Sequence, residues 1–358
     1  MRGHGNHGGA THSRTISDDF ANFQSECPLL RMHQPRSEME WSYYQAGPMC
    51  AEPIIFLHST SGTAAAFFYQ VQVLAKKGYR VLSVQYPGHA SPEAWCKGFD
   101  LFLDYVRCRA AHFFGAGLGG FLVQHLAANY PHRVRSLILC NAFATTRAFA
   151  EEAGTLGSMI SLMPSVVLRK VLLDAFPQGG AGMELAAKQA VDWVALQVND
   201  LSGTDLAGRL SLNCTPSFVG AMPLEQRRVT VMESSGETMV PEQLRRQLRG
   251  IYPEARLAQL KASGDFPYLS RPDETTLFIE VHMRGVGVFP ADNGAGAAAA
   301  ASVAAAQSSR LAWEASGGGA KPQAGFAVAA AEEEVEAVQP PPQRRPVWRN
   351  PFEDDPLL

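Results

Sequence analysis

Gly115, Gly117 and Gly120 stand in the run His112-Phe-Phe-Gly-Ala-Gly-Leu-Gly-Gly-Phe121. There an apolar stretch gives way to a tight glycine turn and then to a helical pattern. Two kinds of chemistry use such a turn. In G-x-G-x-x-G the glycines let the backbone approach the pyrophosphate of a dinucleotide at a helix N-terminus. In G-x-S-x-G, the nucleophile elbow, the middle residue is a serine held on a strained backbone, so that its hydroxyl can attack an acyl carbon. The middle residue of Gly115-Ala-Gly117-Leu-Gly119 is glycine.

An acyl-transfer site of this kind needs an acid after a later strand and an imidazole after the last one, in the chain order nucleophile, acid, histidine. Glu237, in Ser-Ser-Gly-Glu237-Thr-Met-Val-Pro241, follows the apolar run Val229–Met232 and takes the acid position. Asp265, in Ser263-Gly-Asp-Phe-Pro267, stands where the histidine is expected. A carboxylate with an ordinary pKa near ~3.9 is a far weaker base than imidazole at neutral pH. Gly117 has no atom with which to attack. Losing both groups from a triad costs on the order of 10⁶ in rate, with about 10³ left over water from oxyanion donors and binding. Backbone donors for an oxyanion remain at Leu118 and in the loop Ser59–Thr60.

No residue is therefore assigned a catalytic role, and Gly117, Glu237 and Asp265 form a degenerate triad. One alternative is a weak serine hydrolase with a relocated nucleophile, Ser59, Ser61 or Ser263, and His58 or His89 as base. Another is a small-ligand binding module using the vacated pocket. No cofactor or metal is called for. His4, His7 and His12 lie in a Gly/His/Ser-rich stretch with no ligand geometry, and His125 sits inside a helical run as a packed histidine.

The elements around the turn favour the elbow. Glu40–Tyr44 alternates like an edge strand, while Pro53–Leu57 and Arg80–Gln85 are continuous apolar runs of doubly buried strands. Helical patterns cover Thr63–Lys77, Trp95–Arg107 and Leu118–Tyr130, and a further strand pattern covers Val134–Cys140. A dinucleotide turn normally follows the first strand of its unit and wants a carboxylate at the end of the next. Here at least two buried strands precede the turn, and the next strand ends in Cys140-Asn-Ala-Phe143. Residues 145–224 hold helical runs (156–176 and 183–201) and form a helical cap insertion. Alternation resumes at Val229–Met232, the helix Pro241–Tyr252, the strand Ala255–Leu260 and the helix Thr275–Met283. Strands joined by crossover helices make an α/β chain: a mostly parallel sheet wrapped by helices, on the α/β-hydrolase plan.

The chain has 358 residues, 46% hydrophobic, and a net charge of -3. Such a balance gives no reason to propose a nucleic-acid partner. The six cysteines lack C-x-x-C spacing and read as free, mostly buried thiols of a reducing compartment. The N-terminus lacks the apolar core of a signal peptide, and no stretch has the uncharged length of a membrane span. Residues 1–36 are expected to be a disordered tail, 37–288 the folded domain, and 289–358, rich in Ala, Gly, Gln and Pro, a second disordered tail. The last residues carry two overlapping short motifs. Asn350-Pro351-Phe352 favours a compact turn that offers Phe352 to a small apolar pocket, as in ligands of EH domains. Glu353-x-x-x-Leu357-Leu358 has the form of an acidic dileucine sorting signal recognised by adaptor proteins.

Several strings together resemble the maspardin family of α/β-hydrolase-like proteins. They are Gly62-Thr-Ala-Ala-Ala-Phe-Phe68, Gly78-Tyr-Arg-Val-Leu-Ser-Val-Gln-Tyr-Pro87, Phe114-Gly-Ala-Gly-Leu-Gly-Gly-Phe-Leu122, Ser136-Leu-Ile-Leu-Cys-Asn141, Leu210-Ser-Leu-Asn-Cys214 and Phe266-Pro-Tyr-Leu269. The resemblance covers about residues 38–285. It implies a cytosolic protein that associates peripherally with endosomal and trans-Golgi membranes and acts through protein partners rather than catalysis. Maspardins typically keep serine in the elbow while lacking the histidine, so Gly117 is a further departure.

Overall fold

The structure, a computed structural model, describes residues 15–177, 183–236 and 238–291. Its frame is an eight-stranded sheet in the order β1-β2-β4-β3-β5-β6-β7-β8. The strands are β1 (Leu30–His33), β2 (Glu40–Ala46), β3 (Ile54–Leu57), β4 (Val81–Gln85), β5 (Ala111–Ala116), β6 (Val134–Cys140), β7 (Val229–Ser234) and β8 (Arg256–Leu260). β2 runs antiparallel to β1 and to β4, and every other pairing is parallel. A parallel sheet covered on both faces needs strands that are apolar on both sides. Accordingly β3 and β5 are buried at every residue.

The two-residue period of the strands sorts this apolar content into two layers. Phe56, Phe114, Ile138 and Met232 face one side, against α1 (Ile16–Glu26), α2 (Phe68–Lys76) and α11 (Pro272–Gly285). Ile55, Leu57, Phe113, Leu137 and Val231 face the other, against α3 (Pro92–Tyr105), α4 (Leu118–Asn129) and α9 (Glu242–Ile251). Between β6 and β7 the chain leaves the sheet for α5 (Arg147–Gly157), α6 (Ser165–Asp174), α7 (Leu185–Val198) and α8 (Gly203–Cys214). A short α10 (Pro267–Ser270) follows β8.

The start of the domain differs from the sequence expectation. Residues 16–33, assigned above to a disordered tail, form α1 and β1. A reciprocal cap starts α1: the Asp18 N–H donates to the Thr15 hydroxyl (3.2 Å), and the Thr15 N–H donates to the Asp18 carboxylate (3.0 Å). Phe23 is then buried against Tyr44 and Phe68, with ring centroids 5.0 and 5.8 Å away. Phe20 reaches Trp193 of α7 at 5.4 Å, so the first helix also braces the cap. The helix expected from Thr63 begins as a 3-10 turn at Ala64–Phe67 and becomes α-helical only at Phe68. The six cysteines are all free: Cys27, Cys96, Cys108 and Cys140 are buried, Cys214 partly so, and Cys50 is exposed.

Candidate functional site

At the turn from β5 to α4 the helix backbone comes very close to the sheet. A Cβ added at Gly115 would sit 2.5 Å from the Gly120 backbone, and one at Gly119 would sit 2.4 Å from the Leu57 carbonyl oxygen. Only glycine allows strand and helix to meet so closely. Gly117, at the apex, has φ 49° and ψ -117°, a backbone that costs an L side chain strain. Its N–H donates to the Cys140 carbonyl at 3.0 Å. Leu118, the first residue of α4, carries one of the N–H groups that the helix itself leaves without a partner. A Cβ at position 117 would point toward Ser59, 3.2 Å from the Ser59 Cβ. The fold thus brings together Gly117, Leu118 and the Ser59–Thr60 loop, where Ser59 and Thr60 are both buried.

Asp265 is buried on the loop after β8, and its Oδ1 accepts the Met239 N–H at 2.6 Å. That bond ties the loop after β8 to the loop after β7. Burial pushes the Asp265 carboxyl up to about 6, against the opposing pull of the Met239 N–H and the Arg245 charge. Glu237 and the tail residues Asn350, Pro351, Phe352, Glu353, Leu357 and Leu358 lie outside the described residues. The nearest described carboxylate on β7 is Glu233, which is buried and paired with Arg249. Asn141, with φ 42° just past β6, holds the remaining strand ends together. Its amide donates to Ser234 Oγ (3.1 Å) and to the Gly264 carbonyl (3.2 Å), while its Oδ1 accepts the Ser234 N–H (3.0 Å).

The hydroxyls considered as relocated nucleophiles have other engagements. Ser263 Oγ donates to Ser234 Oγ at 2.7 Å, and Ser59 Oγ lies 3.4 Å from Ser61 Oγ. The two nearby imidazoles bond to backbone carbonyls, His58 Nδ1 to Ser59 O (2.7 Å) and His89 Nδ1 to Pro87 O (2.9 Å). Burial holds both below the ordinary histidine value. Of two surface cavities among the described residues, about 430 and 470 Å³, the first lies away from the elbow and the second adjoins Met239, the partner of Asp265. One is lined by Arg147, Gly154, Cys214 and Pro216, the other by Pro177, Thr238, Met239 and Arg245.

A cation that the sequence reading passed over closes this end of the sheet. Arg209, on α8, is fully buried. Its guanidinium donates to the Gly62 carbonyl (2.8 Å) and the Tyr86 carbonyl (3.0 Å), and lies 5.2 Å from the Tyr86 ring centroid. The Tyr86 ring also stacks on His58, with centroids 4.2 Å apart, and the Tyr86 hydroxyl donates to the His58 carbonyl (2.9 Å). Cap, the loop 58–62 and the end of β4 thereby form one unit. The spacing Leu206, Arg209, Leu210 placed a charged residue on an apolar helical stripe, and that was the available signal.

A hydroxyl, an imidazole and a carboxylate do line up elsewhere, near the opposite ends of the strands. Ser136 Oγ is 2.7 Å from His112 Nδ1 and 2.7 Å from His282 Nε2, and His112 Nε2 is 3.6 Å from Glu52. His282 Nδ1 in turn meets Thr230 Oγ1 at 2.8 Å. Ser136 is completely buried between β5 and α11, where no acyl group can reach it. Its one proton can serve only one imidazole, so the other must donate to it. The arrangement is a structural chain. His125 is likewise a packing residue, its ring 4.6 Å from Phe121.

Among the described residues no group of three His, Cys, Asp or Glu side chains is placed to hold a metal, and no helix is long and apolar enough to cross a membrane.

Comparison with known proteins agrees with this geometry. The model of the alpha/beta hydrolase family matches residues 54–276. Maspardin of Danio rerio is 39% identical over 273 residues, which are 75% of this chain and 86% of that protein. Maspardin of Mus musculus is 38% identical over the same length, 75% of this chain and 87% of that one. Among solved structures, a thermophilic esterase from Thermogutta terrifontis superposes with a TM-score of 0.58 at 13% identity, over 72% of this chain and 98% of its own. A match of that identity speaks for the fold alone. With the sheet order, the glycine elbow and the identity to two vertebrate maspardins in agreement, this chain belongs to the maspardin family of α/β-hydrolase-fold proteins.

Proposed function

We propose that the protein is a non-catalytic adaptor on a hydrolase scaffold, acting through protein contacts in endosomal and trans-Golgi trafficking from a cytosolic, peripherally membrane-associated position. One observation carries this reading. The elbow apex is Gly117, and the space beside it is bounded by the Ser59 side chain. Asp265, at the place of the general base, is engaged as the acceptor that holds Met239. Both positions serve the structure of the loops.

The test is reactivity. Purified protein is expected to show no heat-sensitive labelling by a fluorophosphonate probe and no turnover of a short-chain aryl ester above buffer. Labelling that disappears in Ser59→Ala, Ser61→Ala or Ser263→Ala would overturn the proposal and establish a relocated nucleophile.

The tail supplies the partner side of the proposal. Asn350-Pro351-Phe352 suits the pocket of an EH domain, and Glu353 with Leu357-Leu358 suits a sorting adaptor. In a short linear motif one aromatic anchor carries most of the affinity. Phe352→Ala is therefore expected to abolish capture of an EH domain by the full chain, measured by pull-down. Capture at the wild-type level would show that the motif is unused.

A further inference from the structure

Helices on a protein surface normally turn an apolar stripe inward and a polar face outward. The cap segment from the end of α5 through the 3-10 turn Ile160–Leu162 into α6 departs from this. Its inward side is apolar in the usual way, with Ile160, Leu168 and Leu172 buried. Its outward side is apolar as well: Leu156 is 61% exposed, Met159 51%, Leu162 81% and Val166 73%, with Val167 and Val171 exposed beside them. Residues 153–168 include no charged side chain. An apolar patch of this kind marks a surface that meets an apolar phase.

The chemistry of the patch narrows what that phase is. Its polar side chains are four hydroxyls, Thr155, Ser158, Ser161 and Ser165, and two of them are engaged internally. Ser158 Oγ donates to the Thr155 carbonyl (2.8 Å), and Ser165 Oγ accepts from Arg169 (3.3 Å). Of the charges at its borders, Arg147 pairs with Glu151 (2.8 Å) and Lys170 with Asp174 (2.9 Å), while exposed Glu152 precedes the uncharged stretch. Between residues 153 and 168 the patch therefore offers no charge, and its only polar side chains are small hydroxyls. It also lacks the aromatic and arginine anchors that concentrate affinity at protein interfaces. Leu, Met and Val over a Ser, Thr and Gly backing form an uncharged amphipathic surface, which complements a lipid layer with neutral headgroups and loosely packed chains.

We propose that this cap surface docks the protein on membranes by shallow insertion of Leu156, Met159, Leu162 and Val166 between neutral, loosely packed lipids. The proposal rests on the peripheral location given above and names the surface and the lipid class that would serve it. It fails separately from the tail motif, which binds a protein.

Flotation of the full chain with phosphatidylcholine vesicles tests it. Binding is expected to small, highly curved vesicles, several-fold weaker to large ones, and unchanged in high salt, because no charge pairing is involved. The double variant Leu162→Asp/Val166→Asp should lose at least about tenfold in binding with an unchanged melting temperature, since both side chains are solvent-exposed before docking. Leu257→Asp, on exposed β8, should bind as wild type. Absence of binding to neutral vesicles would overturn the proposal. So would binding confined to anionic vesicles and lost in salt. A dimer seen by light scattering and broken by the double variant would equally overturn it, by showing that a second copy covers the patch.

Discussion

Lowering the pH from about 7.5 to about 5 is expected to remove ~3–5 kcal/mol of folding stability, a large share of the ~5–15 kcal/mol typical of a domain. Buried imidazoles set the sign: His58 and His89 act in the same direction, and His112, His125 and His282 carry the figure. Burial, as the largest cause, lowers His112 to about 4, His125 to about 4 and His282 to about 3. The groups facing them only partly offset or reinforce this. Glu52 raises His112 while Arg135 and Arg228 lower it; Glu93 raises His125; His112 and Arg256 lower His282. A base whose folded pKa is depressed binds fewer protons in the native state than in the unfolded chain, where histidine titrates near ~6.5. Its stabilisation is thus complete above ~6.5 and is lost as pH falls toward the folded value, at ~1.4 kcal/mol per pH unit for each imidazole. Asp265 works in the opposite direction. Its carboxyl, held up to about 6, keeps a proton that the unfolded chain releases, and so returns part of the loss below that pH. Urea midpoints measured across the range should fall steadily below pH 6.5. His112→Asn/His282→Asn should flatten the slope, because the Ser136 chain then has no group left to charge. A midpoint constant from pH 7 to 5 would show that these imidazoles are not held neutral.

The sequence made the sheet legible because the central parallel strands are apolar on both faces. Pro53–Leu57, Arg80–Gln85 and Val134–Cys140 had no other reading, and the structure places β3, β4 and β6 there to within a residue. The elbow was legible for a related reason. Gly115, Gly119 and Gly120 are each required where two backbones touch, and such a requirement leaves a mark at fixed spacing. The first helix was missed because the glycine and histidine bias of the opening residues outweighed a short local signal, Thr15-x-x-Asp18 ahead of Phe20 and Phe23. The Ser136 chain was invisible for a different reason. His112, Ser136, Thr230 and His282 come from four elements far apart in the chain, and single polar residues in apolar strands carry no sign of which helix will cover them. Asp265 was singled out by its position after the last strand, but its acceptor role toward Met239 depended on how two loops meet.

Arg209→Ala is expected to destabilise the domain by about 3–5 kcal/mol and to loosen the cap from the loop beneath it. Arginine is suited to this place and lysine is not. A planar fork can donate to two carbonyls at once while its flat face lies against an aromatic ring, and an ammonium cannot. Removing it leaves the Gly62 and Tyr86 carbonyls facing a cavity, at about 1–3 kcal/mol for each buried acceptor without a donor. Lost stem packing adds to this. A counter-term exists: among the described residues no carboxylate is bonded to the guanidinium, and burial holds its pKa below the ordinary arginine value, so its removal also relieves desolvation. Arg209→Met separates the effects. It keeps most of the stem volume and drops the charge, so it should fall between wild type and Arg209→Ala in urea denaturation. Amide exchange should rise in residues 203–214 and 58–63 together, since Arg209 bonds the Gly62 carbonyl of that loop and the Asp205 carboxylate accepts the Gly88 N–H (3.1 Å) beside it. A loss below about 1 kcal/mol in Arg209→Ala would mean that water or a shifted helix replaces both bonds. Closure of the elbow would then rest on apolar packing alone, and the cap would be free to open over Gly117.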